Sequence, residues 1–264
     1  MDIYYIYMVL FTSGALVGFL SGLLGIGGGI VMFPLLFYIP TAVGIDSIPV
    51  KDITGLTMIQ GFFASLSAMF FHHEHRFVHK RLVFTFGLPL FVSSFIGAAI
   101  SRRIPDDILL ITFGILAMTA AAMMILPRGY HKDNDTVSSV DFNPYLTLSI
   151  GLPLGFFLGM VGQGGAFIII PILLYLINIP LRVALGSTLA IGLFCSSAGL
   201  VGKITAGQVP LLMSIAMLSG AVPFARIGGY ISVRTNTRIL KWILAVLIII
   251  TAIKIMWGQV LNPG

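Results

Sequence analysis

The chain has 264 residues, of which 58% are hydrophobic and 9% charged, far below the roughly 25% charged residues of a soluble globular domain. So small a polar complement cannot cover a water-facing surface, which excludes an ordinary soluble enzyme and makes lipid the expected solvent. The net charge of +6, from 15 Lys and Arg against 9 Asp and Glu, falls mostly in short gaps between apolar runs, so it reads as membrane topology rather than a nucleic-acid surface.

In chain order, apolar runs cover 3–24, 29–45, 53–71, 82–100, 107–126, 144–161, 166–179, 183–202, 208–231 and 239–257. A span needs about 20 apolar residues, so several of these qualify alone. Met1-Asp2-Ile3-Tyr4 carries no basic n-region and no A-x-A-like site closes the first run, so that segment is expected to stay in the mature chain. Segments 29–45 and 166–179 are shorter and each follows a glycine cluster, the pattern of a broken or re-entrant helix. The single cysteine, Cys195, excludes an intramolecular disulfide and a thiolate metal cluster and reads as a small packing residue.

Internal repetition organises these segments. Gly18-Phe-Leu-Ser-Gly-Leu-Leu-Gly25-Ile-Gly-Gly-Gly29, followed by Pro34, returns at a constant offset as Gly155-Phe-Phe-Leu-Gly-Met-Val-Gly162-Gln-Gly-Gly-Ala166, followed by Pro171. A second constant offset then pairs Gly55 with Gly186, Thr57 with Thr188, Gly61 with Gly192, Ser65 with Ser196, Gly97 with Gly228 and Arg103 with Arg234. Two homologous halves, 1–127 and 144–264, are expected on either side of a polar linker at 128–143. With the Arg76/Lys80/Arg81 gap inside and sides alternating, the inside loops also hold Arg128, Lys132, Arg182, Arg234, Arg238 and Lys241, against Lys51, Arg102, Arg103 and Lys203 outside. That bias fits the positive-inside rule, places both termini outside, and makes the repeats inverted, as in many secondary transporters.

The two glycine clusters are candidates for chemistry. Gly25-x-Gly27-Gly28-Gly29 and Gly162-x-Gly164-Gly165 have no Lys-Ser/Thr after them and no βαβ unit around them, so neither is a nucleotide loop. Consecutive glycines let a membrane helix unwind and turn backbone N–H groups toward a cavity. A helix starting just afterwards would aim its positive end there, which suits an anion; close helix packing without a ligand is the plainer alternative. Gln163 stands where the first half has Ile26 and adds an amide beside the second break, whether as ligand or as interhelical glue. Thr54, Thr57, Gln60, Ser187 and Thr188 sit near the starts of the third segments and can complete an oxyanion shell or bond back to their own helices. Arg226 lies within an apolar run, where a charge is costly; it is expected either to face substrate or a gate, or to snorkel. Lys254 is read as snorkelling, and Lys51 and Arg182 as loop anchors.

Other chemistry is weakly represented. His72-His73-Glu74-His75-Arg76-Phe77-Val78-His79 lacks a His-Glu-x-x-His spacing and reads as a solvated basic loop rather than a metal site. No Ser/His/Asp set or carboxylate pair falls inside the apolar segments, so an enzyme is not expected.

At these residues the sequence resembles the TauE/SafE sulfite exporters, a family of anion permeases. The resemblance is carried by Gly18-x-x-x-Gly22-x-x-Gly25-x-Gly27-Gly28-Gly29-x-x-x-x-Pro34, its echo from Gly155 to Pro171, and Ala184-x-Gly-Ser-Thr188. Gln163, Ala166 in place of a third glycine, and Ile53-Thr-Gly-Leu-Thr57 depart from the usual pattern. Membership implies an inner-membrane carrier of small sulfur-containing anions such as sulfite, thiosulfate or an organosulfonate like sulfoacetate. The expectation is therefore an all-α polytopic membrane protein of two inverted repeats, with about five hydrophobic segments each and broken helices at the glycine clusters. It would move its anion by alternating access, with a proton or another ion as coupling partner, as a monomer or homodimer without metal, cofactor or nucleic acid. A passive anion channel and an accessory membrane protein are the alternatives.

Overall fold

The structure, a computed structural model, describes residues 2–24, 27–74, 78–125, 142–236, 239–240, 242–250 and 253. Most of the polar linker, the His75-Arg76 step, Gly25 and Lys254 lie outside the described residues. Among the described residues there is no strand. The helices are α1 (Asp2–Leu24), α2 (Gly29–Ala42), α3 (Val50–Glu74), α4 (Lys80–Ile100), α5 (Asp106–Ile125), α6 (Pro144–Val161), α7 (Ala166–Tyr175), α8 (Leu181–Thr205) and α9 (Leu211–Arg234). A further helical run covers 242–250.

Six of these helices, α1, α4, α5, α6, α8 and α9, are long and apolar enough to cross a membrane, which makes this a multi-pass membrane protein. Their outer faces carry Phe84, Leu88, Phe91 and Val92 of α4 and Leu211, Leu212 and Ile215 of α9, all exposed; apolar surface of that extent belongs against lipid. With 14 and 10 residues, α2 and α7 reach only about 21 and 15 Å at 1.5 Å per residue, short of a ~30 Å hydrocarbon core.

Local chemistry sets the helix ends. Asn143 caps α6, its side chain accepting from Tyr145 N at 2.9 Å, with Pro144 in the first turn, where a missing N–H does no harm. The same helix stops at Gly162, which adopts φ 77° while Gln163 N donates to Leu158 O at 2.9 Å, a left-handed ending that favours glycine. His79 caps α4: its Nδ1 accepts from Leu82 N at 3.1 Å, and its own backbone N–H donates to Ser187 Oγ at 3.0 Å.

Small residues let two helix pairs approach backbone to backbone. Along α1, Gly14, Gly18 and Gly22 abut the backbone of Met217, Ala221 and Ala225 on α9. Along α6, Gly151, Gly155 and Gly159 abut Phe86, Leu90 and Ser94 on α4. The offsets read from the sequence carry one set of contacts onto the other. Between the pairs lie α3 and α8, the latter buried over 78% of its span window against 33% for α9. Residues 53–61 of α3 are all buried.

In Gly159→Val the new side chain meets the Ser94 backbone and is expected to destabilise by about 1–3 kcal/mol, lowering the melting temperature in detergent. Gly87→Ala meets only the movable Phe194 ring at 3.3 Å and should melt close to the parent. Burial, with the Arg81 charge adding to it, holds the His79 imidazole below the ordinary histidine range. Its share of stability is complete above the unfolded value of about 6.5 and falls as pH drops through that value toward the lowered folded one. Melting curves of His79→Asn, which caps without titrating, should lack the part of the acid-side loss that this residue causes.

Candidate functional site

The glycine clusters form real breaks. Gly27 and Gly28 adopt φ 64° and 75°, and Gly162 and Gly165 adopt 77° and 78°, a left-handed geometry that side chains other than glycine resist. Each break opens a helix without a side-chain cap, α2 after Gly28 and α7 after Gly165. Val31 N and Met32 N return to Gly28 O, and Ile168 N and Ile169 N to Gly165 O. The N–H groups ahead of them are those that a helix N-terminus presents to an outside acceptor.

The breaks meet at α3. A Cβ placed on Gly61 would stand 3.3 Å from Gly27 O and 3.6 Å from Gly164 Cα, and one on Gly164 would stand 3.7 Å from both Gly61 Cα and Ser196 Cβ. Gly28 lies against the Gln60 amide and Gly29 against the Gln163 amide, so close that a Cβ at either glycine would collide with it. Both glutamines are fully buried, and neither the Nε2 nor the Oε1 of either has a hydrogen-bond partner. Thr188 Oγ1, Ser65 Oγ and Ser21 Oγ are likewise buried and unpartnered. A buried polar group without a partner costs about 1–3 kcal/mol, and native proteins hold few of them. Two such amides, packed on the uncapped start of α2, leave both donors and acceptors unpartnered there.

The other expected residues divide. Gly27, Gly28, Gly29 and Gly164 line the meeting point with Gln60 and Gln163, whereas Gly165 packs against Leu158 and Ile169, and Gly25 lies outside the described residues. Thr57 uses its hydroxyl on Gly162 O at 2.7 Å and Thr54 O at 3.0 Å, so it closes the carbonyl end of the second break. Ser187 holds the His79 loop. Thr54 donates to Lys51 O at 2.7 Å and accepts from Lys203 Nζ at 2.8 Å. Arg226 is exposed on α9 and stands outside the buried group.

Lys203 is the residue that charge counting misplaced. Assigned above to an outside loop, it instead belongs to the last turn of α8 and is fully buried. Its Nζ donates to Thr54 Oγ1 and Ser101 Oγ at 2.8 Å and to Met160 O and Gln208 Oε1 at 3.0 Å. Among the described residues it is the only charged side chain in the buried interior. The available signal was Ile204-Thr205 beyond it, which prolongs the apolar run past the lysine.

The profile of the family described as Sulfite exporter TauE/SafE matches residues 10–255, across both breaks and the helices between them. The chain belongs to the TauE/SafE family. This TauE/SafE chain is 29% identical over 257 residues to a probable membrane transporter protein of Xylella fastidiosa (strain Temecula1), covering 95% of each. It is 21% identical to the probable membrane transporter protein YunE of Bacillus subtilis over 97% of this chain and 99% of that one. The probable membrane transporter protein MJ0441 of Methanocaldococcus jannaschii is 29% identical over 83% of this chain and 79% of its own. No solved structure matches. As a TauE/SafE protein it is a membrane transporter, and the family points to transport rather than catalysis.

If the unpartnered amides are kept for a ligand, replacing one with an apolar side chain should not harm the empty fold. Gln163→Leu is expected to melt at or above the parent temperature in ligand-free detergent, because it removes about 1–3 kcal/mol of unmet hydrogen bonding.

Proposed function

We propose that this protein is a secondary transporter of a small sulfur-containing anion, such as sulfite, thiosulfate or an organosulfonate of the sulfoacetate type. The observation that carries the reading is the meeting of the two uncapped helix starts at Gly61, with the unpartnered amides of Gln60 and Gln163 packed against the first. Backbone N–H groups at two positive helix ends, the amide N–H groups and the Thr188 hydroxyl supply donors of the kind an oxyanion accepts. They are neutral, so the anion is held loosely enough to leave.

The halves 1–127 and 144–264 act as inverted repeats that rock about this point and expose it to each side in turn. Support comes from the glycine contacts, since the pairing of α1 with α9 and of α6 with α4 is what exchange of the halves requires. Sulfite is a weak base near neutral pH, so a proton can travel with it and no intramembrane carboxylate is needed.

Flux of sulfite, thiosulfate and sulfoacetate into proteoliposomes, with and without a pH gradient, tests the reading alongside anion-dependent thermal stabilisation. Saturable uptake that accumulates one of them is expected, with Gln163→Leu lowering it about ten-fold, the equivalent of ~1.4 kcal/mol. Flux that neither saturates nor accumulates would identify a passive channel. No selective binding or flux of any of the three removes the substrate class.

A further inference from the structure

Lys203 presents a problem that hydrogen bonding alone does not solve. Its ammonium has four oxygen neighbours, Thr54 Oγ1, Ser101 Oγ, Met160 O and Gln208 Oε1, so its three N–H groups are fully satisfied. Every one of those oxygens is neutral. The ion pair present among the described residues, Lys51 with Asp106 at 3.8 Å, does not include it. A buried charge inside a membrane protein is costly, and methionine would fill much the same volume without that cost. With no carboxylate among its four neighbours, the ammonium depends on partial negative charge instead.

Its place in the fold says where that charge would come from. Met160 is in the last turn of α6, two residues before the left-handed Gly162, so Lys203 binds a carbonyl at the negative end of a broken helix. Thr54, its hydroxyl partner, has its backbone against Gly162, and Gln163 follows directly. The hydroxyls are oriented for a cation: Thr54 donates onward to Lys51 O at 2.7 Å, and Ser101 to Ala98 O at 2.7 Å, leaving lone pairs toward the ammonium. In transporters with discontinuous helices, the C-terminal end of a half-helix and unwound carbonyls are where a coupling cation binds, while N-terminal ends face the anionic substrate. Here the cation-type position holds a side chain.

We propose that Lys203 is a tethered counter-charge: its ammonium fills a cage of neutral oxygens at the broken end of α6 and supplies the positive charge that lets the neighbouring break hold an anion without a sodium ion. It does not touch the anion; it neutralises the negative end of α6, so that the open positive ends of α2 and α7 dominate the field at the site. The proposal rests on the anion reading given above, and it adds that the site selects for net negative charge and that transport is independent of sodium.

The test uses the full chain in proteoliposomes, with sulfite as the probe and sodium replaced by choline. Wild-type flux is expected to be unchanged by that replacement. Lys203→Met should be monodisperse yet bind sulfite at least ten-fold more weakly. Lys203→Ala should lose flux in choline and recover several-fold when n-propylammonium is added, whereas n-propanol of the same size should have no effect. Recovery by the charged amine alone is a readout that a purely structural lysine would not produce. A folded Lys203→Met with parental sulfite affinity overturns the proposal, as does a wild type that needs sodium. Variants that fail to fold with and without the amine assign the ammonium to the fold alone and overturn it as well. A wild type that binds no sulfur anion is a separate result: it removes the substrate reading, and the counter-charge falls with it.

Discussion

A helix can break at membrane depth only where protein or a water-filled cavity meets the hydrogen-bonding groups that the break frees, and this constraint governs the centre of the molecule. At the second break the carbonyl side is closed. Gly162 N and Gln163 N return to Gly159 O and Leu158 O, the Thr57 hydroxyl covers Gly162 O, and Lys203 covers Met160 O. The amide side has no such closure, since neither α2 nor α7 has a side-chain cap. The satisfied carbonyl end of α6 thus stands beside two helix starts that are not capped, and the proposed anion site rests on that asymmetry.

The rest of the fold holds that arrangement in place. Lipid offers helices no hydrophobic reward for association, so close contact depends on small residues that let backbones touch. Glycines on α1 against α9 and on α6 against α4 provide two such seams. The seams leave α3 and α8 in the interior, and with them Gln60, Ser65, Thr188 and Lys203. The short α2 and α7 enter between these elements and end their approach at Gly61.

Much of this was legible in order along the chain. The apolar runs match the helices closely because a lipid-facing helix must be apolar around most of its surface, so run length substitutes for periodicity. The glycine clusters announced the breaks because few other residues tolerate the left-handed turns that Gly28 and Gly165 adopt. Gln60 and Gln163 were visible as amides in apolar surroundings. The hydroxyl residues were less legible: Thr54, Thr57 and Ser187 are equally polar in the sequence, yet their hydrogen bonds go to a lysine, a helix carbonyl and a neighbouring loop. The partner in each case comes from another part of the chain.

Arg226 and Lys203 show the division most clearly. Each is a lone cation toward the end of an apolar run; the local sequence left the arginine open between an inward role and snorkelling, and put the lysine in an outside loop. In the structure Arg226 is exposed on α9 and Lys203 is enclosed at the end of α8. The sequence by itself determined that the chain is helical, lies in a membrane and breaks at two glycine clusters, because those properties follow from local solvent and backbone preferences. Only the tertiary structure decided which breaks meet, which amides lack partners and which cation faces inward. Those depend on how each helix is rotated and how deeply it is packed, and the contacts that set rotation and depth join residues far apart in the chain.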